Sequence, residues 1–447
     1  MSGARIAVGP ARRMATVTRR TFRSLRARNY RLWFIGQTVS LSGTWMQATA
    51  QSWLVWRLTH NAVDLGLTAA LQFLPVLLLG AYGGVIADRF DKRHVLLVTQ
   101  TLFTLQALAM WLVVSTGVVQ LWMVWTLALA MGLVNAFDNP ARQSFAIEMV
   151  GKDDLANAVG LNSVIVNGSR IVGPAVAGVM IALSGRSITD LGWTFLVNAA
   201  TFVAVLVALW LMRPAELHRV ERVRAARGQV RAGLRYAWDK WELRVPLLMM
   251  AVMGTLAYNF SVVLPLVASD VFHRGGGTYG ALITAMGVGA LIGALGVASR
   301  RLPRYRLLVL VAFAFGALTL GVAAAPTLAS ALVLLVPMGA ASVAFIALAN
   351  SLLQLHSTGQ MRGRVMALWA IVFLGSTPIG APITGVVAAH FGARAALGMG
   401  AVATLVTAVW AATALRRIRA EERRGPDATG EPAGLRPRAA GVPARRR

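Results

Sequence analysis

The chain has 447 residues, of which 57% are hydrophobic and 14% are charged, and its mean hydropathy is +0.62. These values are typical of a polytopic membrane protein and exclude a series of soluble domains. The net charge of +27 comes from residues in loops and tails, and no nucleic-acid-binding motif accompanies it, so we expect no nucleic acid partner.

Twelve apolar runs follow one another along the chain, and each is long enough to cross ~30 Å of hydrocarbon as a helix. They predict an all-α membrane protein with twelve transmembrane helices, arranged as two homologous six-helix bundles. The predicted crossings are 31–57, 63–87, 94–116, 119–138, 157–184, 190–212, 246–270, 278–299, 305–325, 328–350, 363–389 and 393–416.

The distribution of basic residues predicts the orientation. An even number of crossings puts both termini on one side, and both tails are strongly basic, so that side is expected to be cytoplasmic. The outer loops then hold only four of the 44 Lys and Arg residues, namely Arg57, Arg186, Arg274 and Arg394. The first apolar run is too long for the core of a signal peptide, which favours a retained crossing.

The predicted organisation has five segments. A basic tail over residues 1–30 precedes a first half over 31–212, and a second half over 246–416 precedes a disordered basic tail over 417–447. Between the halves, residues 213–245 place apolar side chains on one helical face with arginines around it. This pattern indicates an amphipathic helix on the inner membrane surface, or else a solvated charged linker.

The two halves resemble each other at two nearly constant offsets, which is the sign of an internal repeat. The matched positions are Gly43-Thr44 with Gly254-Thr255, Arg89 and Arg93 with Arg300 and Arg304, Asn139 and Gln143 with Asn350 and Gln354, and Ser169, Gly173, Gly178 and Gly185 with Ser376, Gly380, Gly385 and Gly392.

A charged loop interrupts the second and third crossings between Gly84 and Arg93. Arg89, Lys92 and Arg93 suit the C-terminal end of a helix, where the helix dipole is negative. Asp88 is unfavourable there, so we expect it to have a partner elsewhere. Gly84 is expected to let a neighbouring helix approach closely.

The first crossing carries a polar stripe whose members are three or four residues apart and therefore share one helical face. In lipid these groups would lose hydrogen bonds with no water to replace them, so the stripe faces either neighbouring helices or a wet cavity. We favour a substrate cavity, to which Asn259 of the seventh crossing also contributes. The stripe consists of Gln37, Ser40, Thr44, Gln47 and Gln51.

Arg170 is the only charged residue deep within a predicted crossing. Because a charge is costly at mid-membrane, it is expected to face the bundle interior and to have a partner. Gly173 and Pro174 loosen the helix just beyond it, which predicts a bending point. Close packing against another helix at Gly173 and Gly178 is the alternative interpretation.

Carboxylates lie only near the ends of the predicted crossings, in loops or in tails. A proton carrier needs a group whose pKa responds to burial and access, so only these terminal carboxylates qualify. We hypothesise that Asp88 and Asp138 form a network with Arg89 and Arg142 that closes an inner gate and breaks on protonation. A static ion pair in the loop is the alternative.

Residues 25–416 resemble the major facilitator superfamily of transporters. The residues from Gly84 to Arg93 match the loop signature of that superfamily between helices 2 and 3. Two stretches, Arg26–Gln37 continuing into Gly43–Gln47, and Phe137–Gln143, resemble the bacterial branch of enterobactin exporters and macrolide or multidrug efflux proteins.

The fifth crossing is similar to the glycine-proline signature of antiporters, with Gly168, Gly173, Pro174 and Gly178. It departs from that signature at Ala177, where a second glycine is usual. Ala128 also stands where many proton-coupled members carry an arginine, so Arg170 becomes the candidate to take over that role.

The resemblance implies a monomeric secondary transporter in the bacterial cytoplasmic membrane, with both termini cytoplasmic. Its implied activity is proton-driven export of small hydrophobic, siderophore-like or drug-like molecules by alternating access. Uptake of a neutral metabolite, and a non-transporting receptor or scaffold, are the open alternatives. Without Cys, a phosphate-binding glycine loop or metal-ligand spacing, the sequence predicts no enzyme activity, no cofactor and no metal site.

Overall fold

The computed structural model describes residues 23–151, 153–184, 187–218, 229–299 and 303–424, and regular structure in these ranges is helical throughout. The first half contains six long helices: α1 Arg28–Thr59, α2 Ala62–Arg89, α3 Lys92–Ser115, α4 Leu121–Val150, α5 Leu155–Leu183 and α6 Gly192–Leu211. A linker helix, α7 Gln229–Asp239, leads into α8 Trp241–Leu256, α9 Phe260–Leu266, α10 Gly276–Ala298, α11 Tyr305–Ala324, α12 Leu328–His356 and α13 Gly359–Arg424.

Ten helices of the described residues are long and apolar enough to cross a membrane. The last of them spans Gly359–Arg416 and changes direction at Gly392, whose φ of 85° requires a glycine. Helix α1 has 32 residues but is not among the ten, in keeping with its polar stripe and its basic start. The all-α membrane fold is thus confirmed, whereas twelve crossings stay a prediction.

Two predicted segments agree with the membrane spans but differ from the helices in detail. The seventh crossing falls within the span Trp241–Val271, yet the chain leaves helical geometry between α8 and α9, where Asn259 has φ −96° and ψ 43°. The last span ends at Arg416, as predicted for the second half, while α13 continues to Arg424. The tails beyond these bounds, residues 1–22 and 425–447, lie outside the described residues, as do Gly185 and Arg300 of the predicted repeat.

The helix ends explain why the chain turns where it does. Asn61 accepts a hydrogen bond from the Val63 N–H at the start of α2, and Asp91 accepts one from the His94 N–H at the start of α3. Thr327 and Ser330 form a capping box at the start of α12. These turns alternate between two ends of the bundle.

We call the end that carries residues 88–93 and the linker helix the basic end, and the other the far end. Inside each half, glycines let helix backbones touch. In the first half, Gly83 and Gly132 of α2 and α4 pack against the carbonyls of Ala136 and Gln72. In the second half, Gly293 and Gly339 of α10 and α12 pack in the same way against Ala340 and Met286.

The two halves meet through α2 with α13, and through α5 with α10. A Cβ at Gly178 of α5 would lie 3.0 Å from the Gly280 Cα of α10, and a Cβ at Gly66 of α2 would collide with the Ala381 carbonyl of α13. Trp53 also stacks on Tyr279 across the halves at 6.2 Å. These contacts lie toward the far end.

Toward the basic end, seven other glycines of the same four helices make no contact between the halves. A Cβ added at any of them would meet no neighbouring group within 4 Å. They are Gly80 and Gly84 of α2, Gly160 and Gly168 of α5, Gly296 of α10, and Gly359 and Gly363 of α13. The bundle is therefore packed between its halves at the far end and parted at the basic end.

Candidate functional site

The charged loop at the basic end divides into anchored and free residues. Lys92 pairs with Glu148 of α4, and both side chains are largely buried. Arg93 donates from Nε to the Leu209 carbonyl at 2.8 Å, at the C-terminal end of α6. These contacts tie the start of α3 to its neighbours.

Asp88 and Arg89 are exposed and make no hydrogen bond or ion pair with any residue that the structure describes. The described residues therefore supply no partner for Asp88, in keeping with the parting of the halves at this end. Gly84 also lies in open space, so the expectation that it permits close approach is wrong for this conformation. Gly83 makes that contact instead, against α4.

Asp138 is the buried carboxylate of the basic end, with 2% of its surface exposed. Its Oδ1 accepts hydrogen bonds from Thr99 Oγ1 at 2.8 Å and from Gln100 Nε2 at 2.9 Å. Its Oδ2 lies 3.4 Å from Arg142 Nε, and Arg142 also donates to Asn139. The structure thus brings Asp138 and Arg142 together but does not bring Asp88 or Arg89 to them.

The polar stripe of α1 points largely into the first half. Gln47 is fully buried, donates to Gln106 Oε1 of α3 at 3.0 Å and accepts from Asn198 Nδ2 of α6 at 2.6 Å. Gln37, Ser40 and Gln51 are also buried, at 3–4% exposure, whereas Thr44 is only half-buried. The prediction that the whole stripe lines a cavity is therefore wrong for Gln47, which holds three helices together.

Asn259 lies at the break between α8 and α9, with 4% of its surface exposed. Its Nδ2 donates to the Thr255 carbonyl at 2.7 Å and to Thr384 Oγ1 at 2.9 Å, while its Oδ1 is buried without a partner. The side chain therefore replaces hydrogen bonds that the broken helix cannot make, rather than standing free in a cavity.

Arg170 lies half-buried near the middle of α5. Its guanidinium carbon is 5.2 Å from the ring centre of Trp45 on α1, and its Nε is buried without a hydrogen-bond partner. No carboxylate pairs with it anywhere in the described ranges, so the partner that we expected is the Trp45 ring. A cation over a ring gains about 0.5–2 kcal/mol, and a mid-membrane arginine costs about 2.5–3.5 kcal/mol. The ring alone does not offset that cost.

Helix α5 runs unbroken through Pro174 over Leu155–Leu183. Gly173 packs against α1, where an added Cβ would lie 2.6 Å from the Trp45 Cβ, and Gly178 packs against α10. In this conformation the two glycines act in packing. The bending point stays a prediction.

The sequence did not connect two further residues, Tyr258 and Gly287, with Arg170. Tyr258 of the α8–α9 break is close enough to interact electrostatically with the guanidinium, and its hydroxyl donates to the Ser342 carbonyl at 2.9 Å. Gly287 of α10 lets that helix approach the Arg170 carbonyl, since an added Cβ would lie 2.6 Å from it. A lone aromatic or glycine in an apolar run carries no signal of this kind.

A model of the family described as "Transmembrane secretion effector" matches residues 19–433. Similar proteins include the staphyloferrin A transporter of Staphylococcus aureus, 26% identical over 63% of this chain and 70% of that protein. The multidrug efflux pump Tap of Mycobacterium tuberculosis is 26% identical over 78% of this chain and 84% of its own. The enterobactin exporter EntS of Citrobacter koseri is 25% identical over 80% and 84%, respectively.

Solved structures share the fold at low sequence identity. A POT family transporter superposes with a TM-score of 0.71 at 9% identity, covering 88% of this chain and 96% of the other. The nucleoside transporter NupG gives 0.67 at 14%, covering 87% and 99%, and a D-xylose-proton symporter gives 0.65 at 14%, covering 87% and 96%. At these identities the likeness bears on the fold alone.

Proposed function

The chain belongs to the transmembrane secretion effector family of major facilitator transporters, and from that premise we propose that it exports small hydrophobic, siderophore-like or drug-like molecules in exchange for protons. As a member of this bacterial family it is a multi-pass membrane transporter of small molecules, and its relatives named above are transporters rather than enzymes.

The observation that carries the proposal is the difference between the two ends of the bundle. Gly66 of α2 and Gly178 of α5 are packed between the halves toward the far end. On the same faces of these helices, Gly84 and Gly160 meet nothing within 4 Å toward the basic end. A gap open to one side, between two pseudo-symmetric halves, is the arrangement that alternating access requires. The closed and open ends exchange when one half rocks against the other.

The direction of transport rests on two supports. Two of the relatives are named an efflux pump and an exporter, and the basic end is cytoplasmic by the distribution of Lys and Arg. Under this orientation both termini are cytoplasmic, and the gap takes up substrate from the cytoplasm of a bacterial cell. The protein works as a monomer in this proposal, because each chain carries both halves.

Coupling to protons rests on the carboxylates of the basic end. Asp138 of α4 accepts hydrogen bonds from Thr99 and Gln100 of α3. It also forms an ion pair with Arg142 of its own helix, and a proton on Asp138 removes that ion pair. Asp88 is free in the open state, which leaves it available to the second half when the basic end closes. In this proposal Asp138 makes its contacts while the basic end is open, and Asp88 makes its contacts when that end closes.

The test uses everted membrane vesicles, in which the cytoplasmic face is outside. With an inward-acidic gradient imposed, we expect accumulation of members of a panel of siderophores and hydrophobic dyes, and its collapse when an uncoupler is added. Accumulation that ignores the uncoupler contradicts proton coupling. Binding without accumulation supports a receptor, and uptake in right-side-out vesicles supports an importer.

A further inference from the structure

Arg170 is a charged group in the middle of the bundle that the gate does not use. It forms no hydrogen bond and no ion pair in the part of the chain that the structure describes, and its Nε is buried. Its guanidinium carbon lies 5.2 Å from the ring centre of Trp45, and Tyr258 is within electrostatic reach, but neither residue carries a negative charge at neutral pH. The cation therefore lacks a counter-ion.

The position of Arg170 along the gap is as informative as its charge. On its far side, Gly178 packs against α10 of the second half, and Gly287 lies against the Arg170 carbonyl. On its basic side, Ser163 and Val159, which share the helical face of Arg170, are both exposed. Arg170 thus lies at the closed tip of a gap that opens toward the basic end.

The surroundings of this tip are aromatic. The Tyr258 ring packs 5.2 Å from Phe315, and Phe260 lies 6.2 Å from Tyr258. Together with Trp45 these rings come from α1 in the first half and from the α8–α9 segment and α11 in the second. A molecule that reached the tip would place one polar group at the guanidinium and its apolar part against the half-buried Trp45 and Tyr258, behind which Phe260 and Phe315 are buried.

We propose that Arg170 binds an acidic group, a carboxylate or phenolate, of an otherwise apolar substrate at the tip of the gap. A planar guanidinium presents paired N–H donors that match a carboxylate, and such charge-assisted bonds are among the stronger ones in proteins. The inference rests on the proposed transport function and adds the substrate class to it. In this proposal the acidic group of the substrate is the counter-ion of Arg170, which has none among the described residues.

The experiment compares two ligands that differ only in the acidic group. Full-length protein in phosphatidylcholine nanodiscs is dialysed to equilibrium against 2-naphthylacetic acid or 2-(2-naphthyl)ethanol, with empty nanodiscs subtracted. We expect the acid to bind at least roughly tenfold more tightly than the alcohol, the factor that one charge-assisted hydrogen bond supplies. In Arg170→Gln we expect the preference for the acid to be lost. The dissociation constant of the alcohol is expected to stay within about twofold of the native value, well below the tenfold effect of the charge.

Two further variants separate binding from folding. Arg170→Lys keeps the charge and is expected to retain part of the acid preference, whereas Arg306→Gln removes an exposed arginine at the start of α11 and serves as the matched control. Equal binding of acid and alcohol by the native protein, binding of neither, or equal loss of both in Arg170→Gln overturns the proposal. Equal binding of acid and alcohol is measured on the native protein alone, so the test remains decisive even if a variant does not fold.

The vesicle assay keeps this failure distinct from failure of the transport function. If native vesicles accumulate dyes under the gradient but show no preference for acids, the inference about Arg170 is wrong and the export proposal stands. If nothing accumulates, export is wrong, whereas the dialysis result still decides what Arg170 binds.

Discussion

Asp88 makes no hydrogen bond or ion pair with the described residues, whereas Lys92 and Arg93 of the same loop do. Its replacement therefore tests the gate without disturbing the contacts of the open state. Asp88→Asn removes a charge that has no partner in this state, so we expect the free energy of unfolding to change by less than about 0.5 kcal/mol. If Asp88 serves the closed basic end, transport is lost while ligand binding in the open state is retained. The measurements are thermal unfolding, equilibrium binding and vesicle transport. Asp153→Asn, another exposed acid of the basic end, is the control, and full transport by Asp88→Asn contradicts the gate hypothesis.

Gln47 and Thr44 belong to the same polar stripe but are expected to behave differently. Gln47→Leu removes two amide bonds to other helices and leaves Gln106 and Asn198 short of partners, so we expect a loss of about 1–2 kcal/mol in stability. Thr44→Val exchanges a half-buried hydroxyl for a methyl group of equal size, so stability is kept and any change falls on substrate binding. Thermal unfolding and binding of the same preparations separate the two. A Gln47→Leu protein of native stability contradicts the structural role.

The stripe and Arg170 show how far the sequence leads at the residue scale. Spacing alone identified one polar face on α1 and one charge within α5, and both are where the sequence put them. Spacing does not predict which residues face this stripe or Arg170. The partners of Gln47, for example, are Gln106 and Asn198, which lie 59 and 151 positions away in the chain. For the same reason the sequence predicted a partner for Arg170, although the described fold supplies rings and no carboxylate.

At the scale of elements, the crossing of α5 and α10 decides which end of the bundle is closed. Gly178 and Gly280 are in contact there, and a larger side chain cannot fit between the two backbones. Gly178→Leu is therefore expected to part the halves at the far end and to shift the population away from the state that is open at the basic end. Gly168→Leu on the same helix points into open space and is the matched control.

Cysteine labelling measures this shift, because the natural chain contains no cysteine. Val164 of α5 is 54% exposed toward the basic end, so Val164→Cys reports access there. We expect its labelling by a polar maleimide to slow several-fold in the Gly178→Leu background and to stay unchanged in the Gly168→Leu background. Equal labelling in both backgrounds would mean that the glycine contact does not control the opening.

The helices themselves were largely predictable, because long apolar runs bounded by charges have few other structures available in a membrane. The exceptions have local causes. The break before α9 falls at Asn259, whose side chain bonds to the Thr255 carbonyl and so allows the backbone to leave helical geometry. Nothing in the apolar pattern on either side of Asn259 marks that position.

At the scale of the whole molecule, the repeat gives the inter-half contacts a two-fold character. Gly178 of α5 meets α10, and its repeat partner Gly385 of α13 meets α2, where an added Cβ would lie 2.6 Å from the Ala62 carbonyl. Both contacts lie toward the far end. Because the two interfaces are equivalent, they are expected to open together, and a rotation of one half against the other then closes the basic end.

This coupling of the two ends predicts opposite changes in two distances on a single protein. Spin labels at Val164→Cys and Leu295→Cys, on exposed residues of α5 and α10, report the basic end, and labels at Leu183→Cys and His273→Cys report the far end. Under conditions that drive transport, the first distance shortens and the second lengthens, because the halves rock as rigid bodies. Pulsed electron paramagnetic resonance on both labelled pairs measures the change.

A basic-end distance that shortens while the far-end distance stays fixed would instead mean local bending of α5 at Gly173-Pro174, and rocking would be wrong. The double variant with Gly178→Leu separates the two, since it moves both distances only if the halves are rigid.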